Sequence, residues 1–329
     1  MEVHLTNKCN IRCEGCWYFE GDFDSAVKEL SDLNAIRAFA GKLAADGVTH
    51  ATLIGGEPTL VPDRVAAFAE HLPYLTVSTN GLRPMPYQGF EHVAVAVSLF
   101  GGGPLDDALR AHRVNGSKFT GLFDTALRNY KGDDRVLFIF ALNEDGMDYI
   151  DGTVKAIHEN GNLVTFNYYS EHGSADPLKA HNTERLLDAA LLAKSNYPAT
   201  VVSHEYFIRT LITGRAHWGA SFGYDVCPSI SVELPEHAQR IANGNPVLNE
   251  FAVYGADYTS LQFCCTSGDC SACRDSQAVY SWLLVSMAHF LTDTMAFEKW
   301  VELAESYWRQ WHWARSLSPN FARLERECA

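Results

Sequence analysis

Cys9-Asn10-Ile11-Arg12-Cys13-Glu14-Gly15-Cys16 follows directly on a short strand-like segment, Val3 to Thr6, near the start of the chain. Three thiolates on one short loop can hold three irons of a four-iron–four-sulfur cluster and leave the fourth iron without a protein ligand. A structural zinc site instead closes its sphere with four ligands, and the nearest histidine, His4, lies back on the strand. Three inert buried thiols are the bland alternative, which this spacing and position disfavour. An open metal position at the C-terminal end of a strand is where a (β/α) barrel carries its chemistry.

Downstream of the loop the pattern alternates. Leu33 to Asp46 has an apolar stripe at Leu33, Ile36, Phe39, Ala40 and Leu43, closed by Gly47, and predicts a helix. Thr49 to Ile54 reads as a strand, Pro62 to Leu72 as a helix, and Leu75 to Thr79 as a strand ending in the Asn80-Gly81 turn. His92 to Phe100 is a near-continuous β-branched run, the pattern of a strand buried in a parallel sheet. A helix from Leu122 to Tyr130, a strand from Arg135 to Leu142, a helix from Tyr149 to Asn160 and a strand from Leu163 to Tyr169 continue the series. Alternation of this kind gives right-handed βαβ units and an α/β fold. A full barrel takes about 250 residues. The expectation is therefore a partial (β/α)6 TIM-like barrel over residues 1–200, with a cysteine-rich, mostly helical extension over 201–329.

The C-x3-C-x2-C spacing after a first strand, with the strand ends that follow it, resembles the radical S-adenosylmethionine (SAM) superfamily over about residues 1–175. Gly55-Gly56-Glu57-Pro58 looks like the family's GGEP segment, whose backbone and carboxylate hold the SAM amine. Ser78-Thr79-Asn80-Gly81 looks like its S/T-x-N-G turn, and Val97-Ser98-Leu99 like the V-S-L segment whose serine contacts SAM. Asn143 and Glu144 end the fifth strand where the family often meets the ribose, and Thr165 to Tyr168 would lie along the adenine. Arg113 to Phe123 is weakly similar to the family's R-x-x-G-x-F stretch. Two positions depart. Gly15 stands where the family has an aromatic residue, so Trp17 or Tyr18 is expected to supply the stacking surface, and Phe100 stands where an Asp is common. In physical terms, Gly55 and Gly56 would let the backbone approach a ligand closely, and Glu57 offers an anion to an ammonium group.

The resemblance implies two cofactors, a 4Fe–4S cluster on Cys9, Cys13 and Cys16, and SAM. It also implies an external one-electron donor, flavodoxin- or ferredoxin-like, and a 5′-deoxyadenosyl radical that abstracts hydrogen from a substrate. A second pattern, Cys264-Cys265-Thr266-Ser267-Gly268-Asp269-Cys270-Ser271-Ala272-Cys273, joins Cys227 further along. It is expected to carry an auxiliary iron–sulfur cluster on Cys227, Cys265, Cys270 and Cys273, with Cys264 the alternative to its neighbour and a structural zinc the competing assignment. Cys328, near the tail, is left out of that set. Phe297, Trp300, Tyr307, Trp308 and Trp311 recur at helical spacing and are expected to pack a terminal helix onto the barrel. Glu171 and His172, just past the sixth strand, fall where a barrel pocket opens.

Composition narrows the partners. The balance of 26 Lys+Arg against 40 Asp+Glu, a formal net charge of −14, repels nucleic acid and anionic membranes. The longest apolar stretch, Val279 to Leu291, is too short for a bilayer and contains Ser281, Ser286 and His289. The first residues carry no signal peptide, so the expected compartment is the cytoplasm, and the 9 cysteines read as metal ligands rather than disulfides. The expected function is a radical SAM enzyme acting on a small-molecule biosynthetic substrate, because the cluster strand begins at residue 3 with no domain before it to grip a leader peptide. A peptide-modifying maturase working with a separate recognition partner is the runner-up. A metal-binding regulator that is not an enzyme would have no need of Gly-Gly-Glu and Ser/Asn elements at successive strand ends.

Overall fold

The computed structural model describes residues 1–169, 171, 176, 178–214, 253–262, 274–285, 290–311 and 314. In chain order the strands are β1 (Glu2–His4), β2 (His50–Ile54), β3 (Tyr74–Thr79), β4 (Val93–Phe100), β5 (Val136–Leu142), β6 (Leu163–Tyr168), β7 (Val253–Tyr254) and β8 (Leu261–Gln262). The helices are α1 (Trp17–Glu20), α2 (Phe23–Ala26), α3 (Leu33–Ala45), α4 (Pro62–Ala69), α5 (Gly103–Arg110), α6 (Leu122–Asn129), α7 (Ile150–Glu159), α8 (Thr183–Asn196), α9 (Glu205–Thr213), α10 (Ser276–Val285) and α11 (Thr294–Trp311).

The sheet runs β6-β5-β4-β3-β2-β1-β7-β8, so each of the first six strands lies beside its neighbours in sequence. Every pairing from β6 to β7 is parallel, and only β8 turns back antiparallel. This is the expected partial barrel, with a seventh parallel strand added beyond β1. Parallel strands covered on both faces must be apolar on both. Accordingly Val93, Ala94, Val95, Ala96, Val97 and Leu99 of β4 are all buried, and Val93, Val95, Val97 and Leu99 share one core with helix residues such as Ile36, Val65, Phe68, Val154 and Ile157.

Val201 bridges Val164 in parallel, and α8 and α9 continue the outer layer. Phe207 of α9 stacks on Tyr280 of α10 with centroids 3.8 Å apart, and Ser306 of α11 donates to the Val202 carbonyl at 2.7 Å. The terminal aromatic stripe divides. Trp300 and Tyr307 pack against the core, whereas Phe297 and Trp308 are exposed; the Trp311 side chain lies outside the described residues.

Candidate functional site

Because β1 to β6 are parallel, their C-terminal ends share one edge of the sheet, and the cysteine loop leaves β1 there. The loop is built onto the end of β2. Gly56 N–H donates to the Thr6 carbonyl at 2.8 Å and Glu57 N–H to the Lys8 carbonyl at 2.9 Å. Gly55, at φ +132°, would put a Cβ 2.8 Å from the Thr6 oxygen, and a Cβ on Gly56 would fall inside the Lys8 carbonyl. The two glycines are thus explained by the close approach of the protein's own cysteine loop. Glu29 holds the start of the loop, accepting from Thr6 Oγ1 at 2.9 Å and Asn7 N at 2.7 Å while paired with Arg64 at 2.8 Å. Tyr18 fixes its end by stacking on His4 and donating to Asn7 Oδ1 at 2.5 Å.

Glu57 is 1% exposed and its carboxylate is a hub. Oε1 accepts from Thr59 N, Thr59 Oγ1 and Thr79 Oγ1 at 3.1, 2.7 and 2.8 Å, and Oε2 from Asn80 N at 2.9 Å. Burial pushes its pKa up against the pull of those donors. Thr79, which sequence reasoning passed over, is thereby more closely tied to the site than its neighbour Ser78. Asn80 in turn donates to Asn10 Oδ1 at 2.7 Å, lies 3.9 Å from the Cys9 sulfur, and accepts from Leu82 N at 2.9 Å. The β2 and β3 ends and the cysteine loop are one hydrogen-bonded unit.

Cys9, Cys13 and Cys16 are free and half-buried. Burial pushes the Cys9 thiol up to about 12 and Cys13 up to about 11, with repulsion among the sulfurs adding to both; Cys16 is raised mainly by burial too. Without a metal these are neutral thiols, and binding one would expel their protons. Among the described residues no three His, Cys, Asp or Glu side chains close around a single ion. Thiolates that each hold a different iron need no such convergence, so the donor set fits a cluster with three protein ligands.

The other strand ends complete the rim. Asn143 is buried and its Oδ1 accepts from Gly146 N at 2.8 Å, capping the turn after β5, and the Ser98 carbonyl accepts from Arg110. Gly15 has φ +66°, and a Cβ there would lie 2.8 Å from the Glu171 backbone and 2.9 Å from the Tyr169 hydroxyl, which leaves no room for an aromatic side chain. Tyr169 supplies a ring on that side: its hydroxyl donates to the Glu14 carbonyl at 3.1 Å and it packs on Phe100 at 5.2 Å. Glu171 is paired with Lys179 at 2.8 Å. The Trp17 side chain, His172 and the cysteines Cys227, Cys264, Cys265, Cys270 and Cys273 lie outside the described residues.

No family model matches the chain. Human molybdenum cofactor biosynthesis protein 1 is 33% identical over 87 residues, 25% of this chain and 14% of that protein. A GTP 3′,8-cyclase from Streptomyces coelicolor is 27% identical over 154 residues, 45% of this chain and 41% of the relative. The chain thus spans well under half the length of these curated relatives. A solved structure described as native anSMEcpe with bound AdoMet matches 80% of this chain and 74% of its own, with a TM-score of 0.51 and 14% identity. Another, with bound AdoMet and Cp18Cys peptide, matches 99% and 98% with a TM-score of 0.51 and 13% identity. The chain shares its fold with these AdoMet-bound structures and is similar in sequence to these relatives over part of its length. The shared barrel runs from β1 through β6, with the β7–β8 pair set against its first strand. Among the described residues no helix is long and apolar enough to cross a membrane.

Proposed function

We propose that this chain is a radical SAM enzyme whose Cys9, Cys13 and Cys16 hold a four-iron–four-sulfur cluster beside a SAM site. The observation that carries the reading is the fusion of the cysteine loop to Gly55–Glu57 and Asn80 by the bonds above, which sets a three-thiolate loop against successive strand ends. When loaded, such a site supplies reductive cleavage of SAM to methionine and a 5′-deoxyadenosyl radical, which abstracts a hydrogen atom from the substrate.

The chain's own residues orient and shield that chemistry. Gly55, Gly56 and Glu57 face the methionine amine. Three donors occupy Oε1 of Glu57, whereas Oε2 receives one and retains capacity for an ammonium. Ser78, Asn80, Ser98 and Asn143 line the rim where the rest of SAM extends, with Trp17 beside the loop. Cys227, Cys265, Cys270 and Cys273 form an auxiliary iron–sulfur site, and a flavodoxin- or ferredoxin-like protein supplies the electron.

The substrate in this reading is a small molecule, supported by relatives named GTP 3′,8-cyclase. A peptide substrate is the second reading, favoured by the near full-length match to a structure holding a peptide. Anaerobic incubation of the iron-loaded, dithionite-reduced protein with SAM should release 5′-deoxyadenosine, and the Cys9/Cys13/Cys16→Ala variant should release none. Cleavage that survives in that variant overturns the assignment; a loaded wild type that neither cleaves SAM nor changes its cluster spectrum with SAM leaves a metal-binding regulator.

A further inference from the structure

Arg110 and Asp106, one turn apart on α5, form an ion pair at 3.0 Å that is almost wholly out of water, at 2% and 0% side-chain exposure. Neither residue belongs to any strand-end motif. A buried pair of this kind is weak evidence for stability, since desolvation cancels much of its attraction. Here it is not even fully satisfied: Asp106 Oδ2 and Arg110 Nε have no hydrogen-bond partner among the described residues.

What the pair touches gives it another meaning. The Arg110 guanidinium donates to the Ser98 carbonyl at the end of β4, and its positive charge is the foremost one acting on the Cys13 thiol. Asp106 Oδ1 accepts from Phe100 N at 2.7 Å, and the Phe100 ring covers the guanidinium 4.9 Å from its centroid. The cysteine loop is laced to the end of α5 by its backbone, with Arg12 N–H on the His112 carbonyl and Glu14 N–H on the Leu109 carbonyl, both at 2.8 Å. A buried cation is therefore held by α5 and β4 beside the stretch of loop that carries Cys13, whose two chain neighbours are bonded to residues on either side of Arg110.

We infer that Arg110 is a positioning residue that sets the reduction potential of the cluster through Cys13, with Asp106 as its counterweight and Phe100 as its shield. The inference rests on the reading of Cys9, Cys13 and Cys16 as cluster ligands. One-electron reduction, here by dithionite through mediators, adds a negative charge beside the guanidinium. A cation in a water-poor site favours the more negative state, and the nearby carboxylate opposes it. Charge and hydrogen bonding at the sulfurs are among the levers that tune such clusters.

The test is a mediated redox titration of the anaerobically loaded full chain, following the reduced-cluster electron paramagnetic resonance signal that SAM perturbs. Arg110→Gln should move the midpoint to more negative potential, by at least the roughly 59 mV that corresponds to a tenfold change in the reduced-to-oxidised ratio for one electron. Asp106→Asn keeps an acceptor for Phe100 N and Arg110 while removing the anion, and should move it the other way. Arg110→Lys should restore part of the loss. Unchanged midpoints, or both variants moving in one direction, overturn the inference. If Arg110→Gln does not retain iron, the Asp106→Asn arm decides alone, and a midpoint that is unmoved or lowered refutes it. A wild type that loads no cluster on the three cysteines refutes the functional reading instead, and this inference with it.

Discussion

The Glu57 carboxylate accepts a hydrogen bond from the Asn80 backbone N–H at 2.9 Å, tying the end of the second strand to the end of the third through two buried residues. Removing it strands several buried donors at once. Glu57→Ala should destabilise the metal-free protein by about 3 kcal/mol, given about 1–3 kcal/mol for each buried group left unpaired. Glu57→Gln, which keeps one acceptor oxygen, should lose less. Urea unfolding of the apoprotein checks this. A Glu57→Ala variant as stable as the wild type would mean that the hub contributes nothing to the fold.

Gly56 abuts the Lys8 carbonyl so closely that a side chain can be accepted only by moving the cysteine loop. Gly56→Val should therefore lower the iron bound at Cys9, Cys13 and Cys16 while the circular dichroism of the barrel persists. Full iron content with unaltered SAM affinity would contradict the packing described.

His4 is buried and stacked on Tyr18, and burial lowers its pKa to about 3. The unfolded imidazole takes its proton near its ordinary 6.5, so between the two values the unfolded chain holds the extra proton. Stability contributed by neutral His4 is thus complete above that ordinary value and falls as the pH drops toward 3. The slope is up to about 1.4 kcal/mol per pH unit. His4→Phe should flatten that limb of a stability–pH curve; an unchanged limb would assign the acid sensitivity to other groups.

The proposed auxiliary site on Cys227, Cys265, Cys270 and Cys273 makes a separate forecast. The Cys9/Cys13/Cys16→Ala variant should still bind about four irons per chain and keep a visible charge-transfer band, as four-thiolate clusters do. One zinc and no iron in anaerobic metal analysis would make the C-terminal cysteines structural instead.

How much of this was legible depended on whether a residue's neighbours were local. The six barrel strands stood out because burial on both faces forces runs such as Val93 to Val97 to be apolar throughout. The α5 helix did not: it opens on Gly101-Gly102-Gly103-Pro104, a turn signal, and its buried side includes Asp106 and Arg110, residue types that pattern reading sends to the surface. β7 and β8 are two residues each, too short for any period. That three cysteines share one loop is readable from their spacing alone, but the contacts of Gly55 and Gly56 are not, because the Thr6 and Lys8 carbonyls beside them come from a loop some fifty residues earlier. Phe100 and Gly15, departures from the family pattern, make sense only beside Arg110 and Tyr169.

The pairing of Val253 and Tyr254 with Glu2 and Val3 carries a consequence for the order of biogenesis. The strand that launches the cysteine loop is only three residues long, and one of its two edges stays open until the ribosome has released the segment ending near Tyr258, whose ring packs between Phe39 and Phe68. Iron delivered to a nascent chain would meet an unfinished cradle. Maturation of this protein should therefore follow translation, and a chain truncated before Val253 should be a poor acceptor of iron even though all three of its N-terminal cysteines are present.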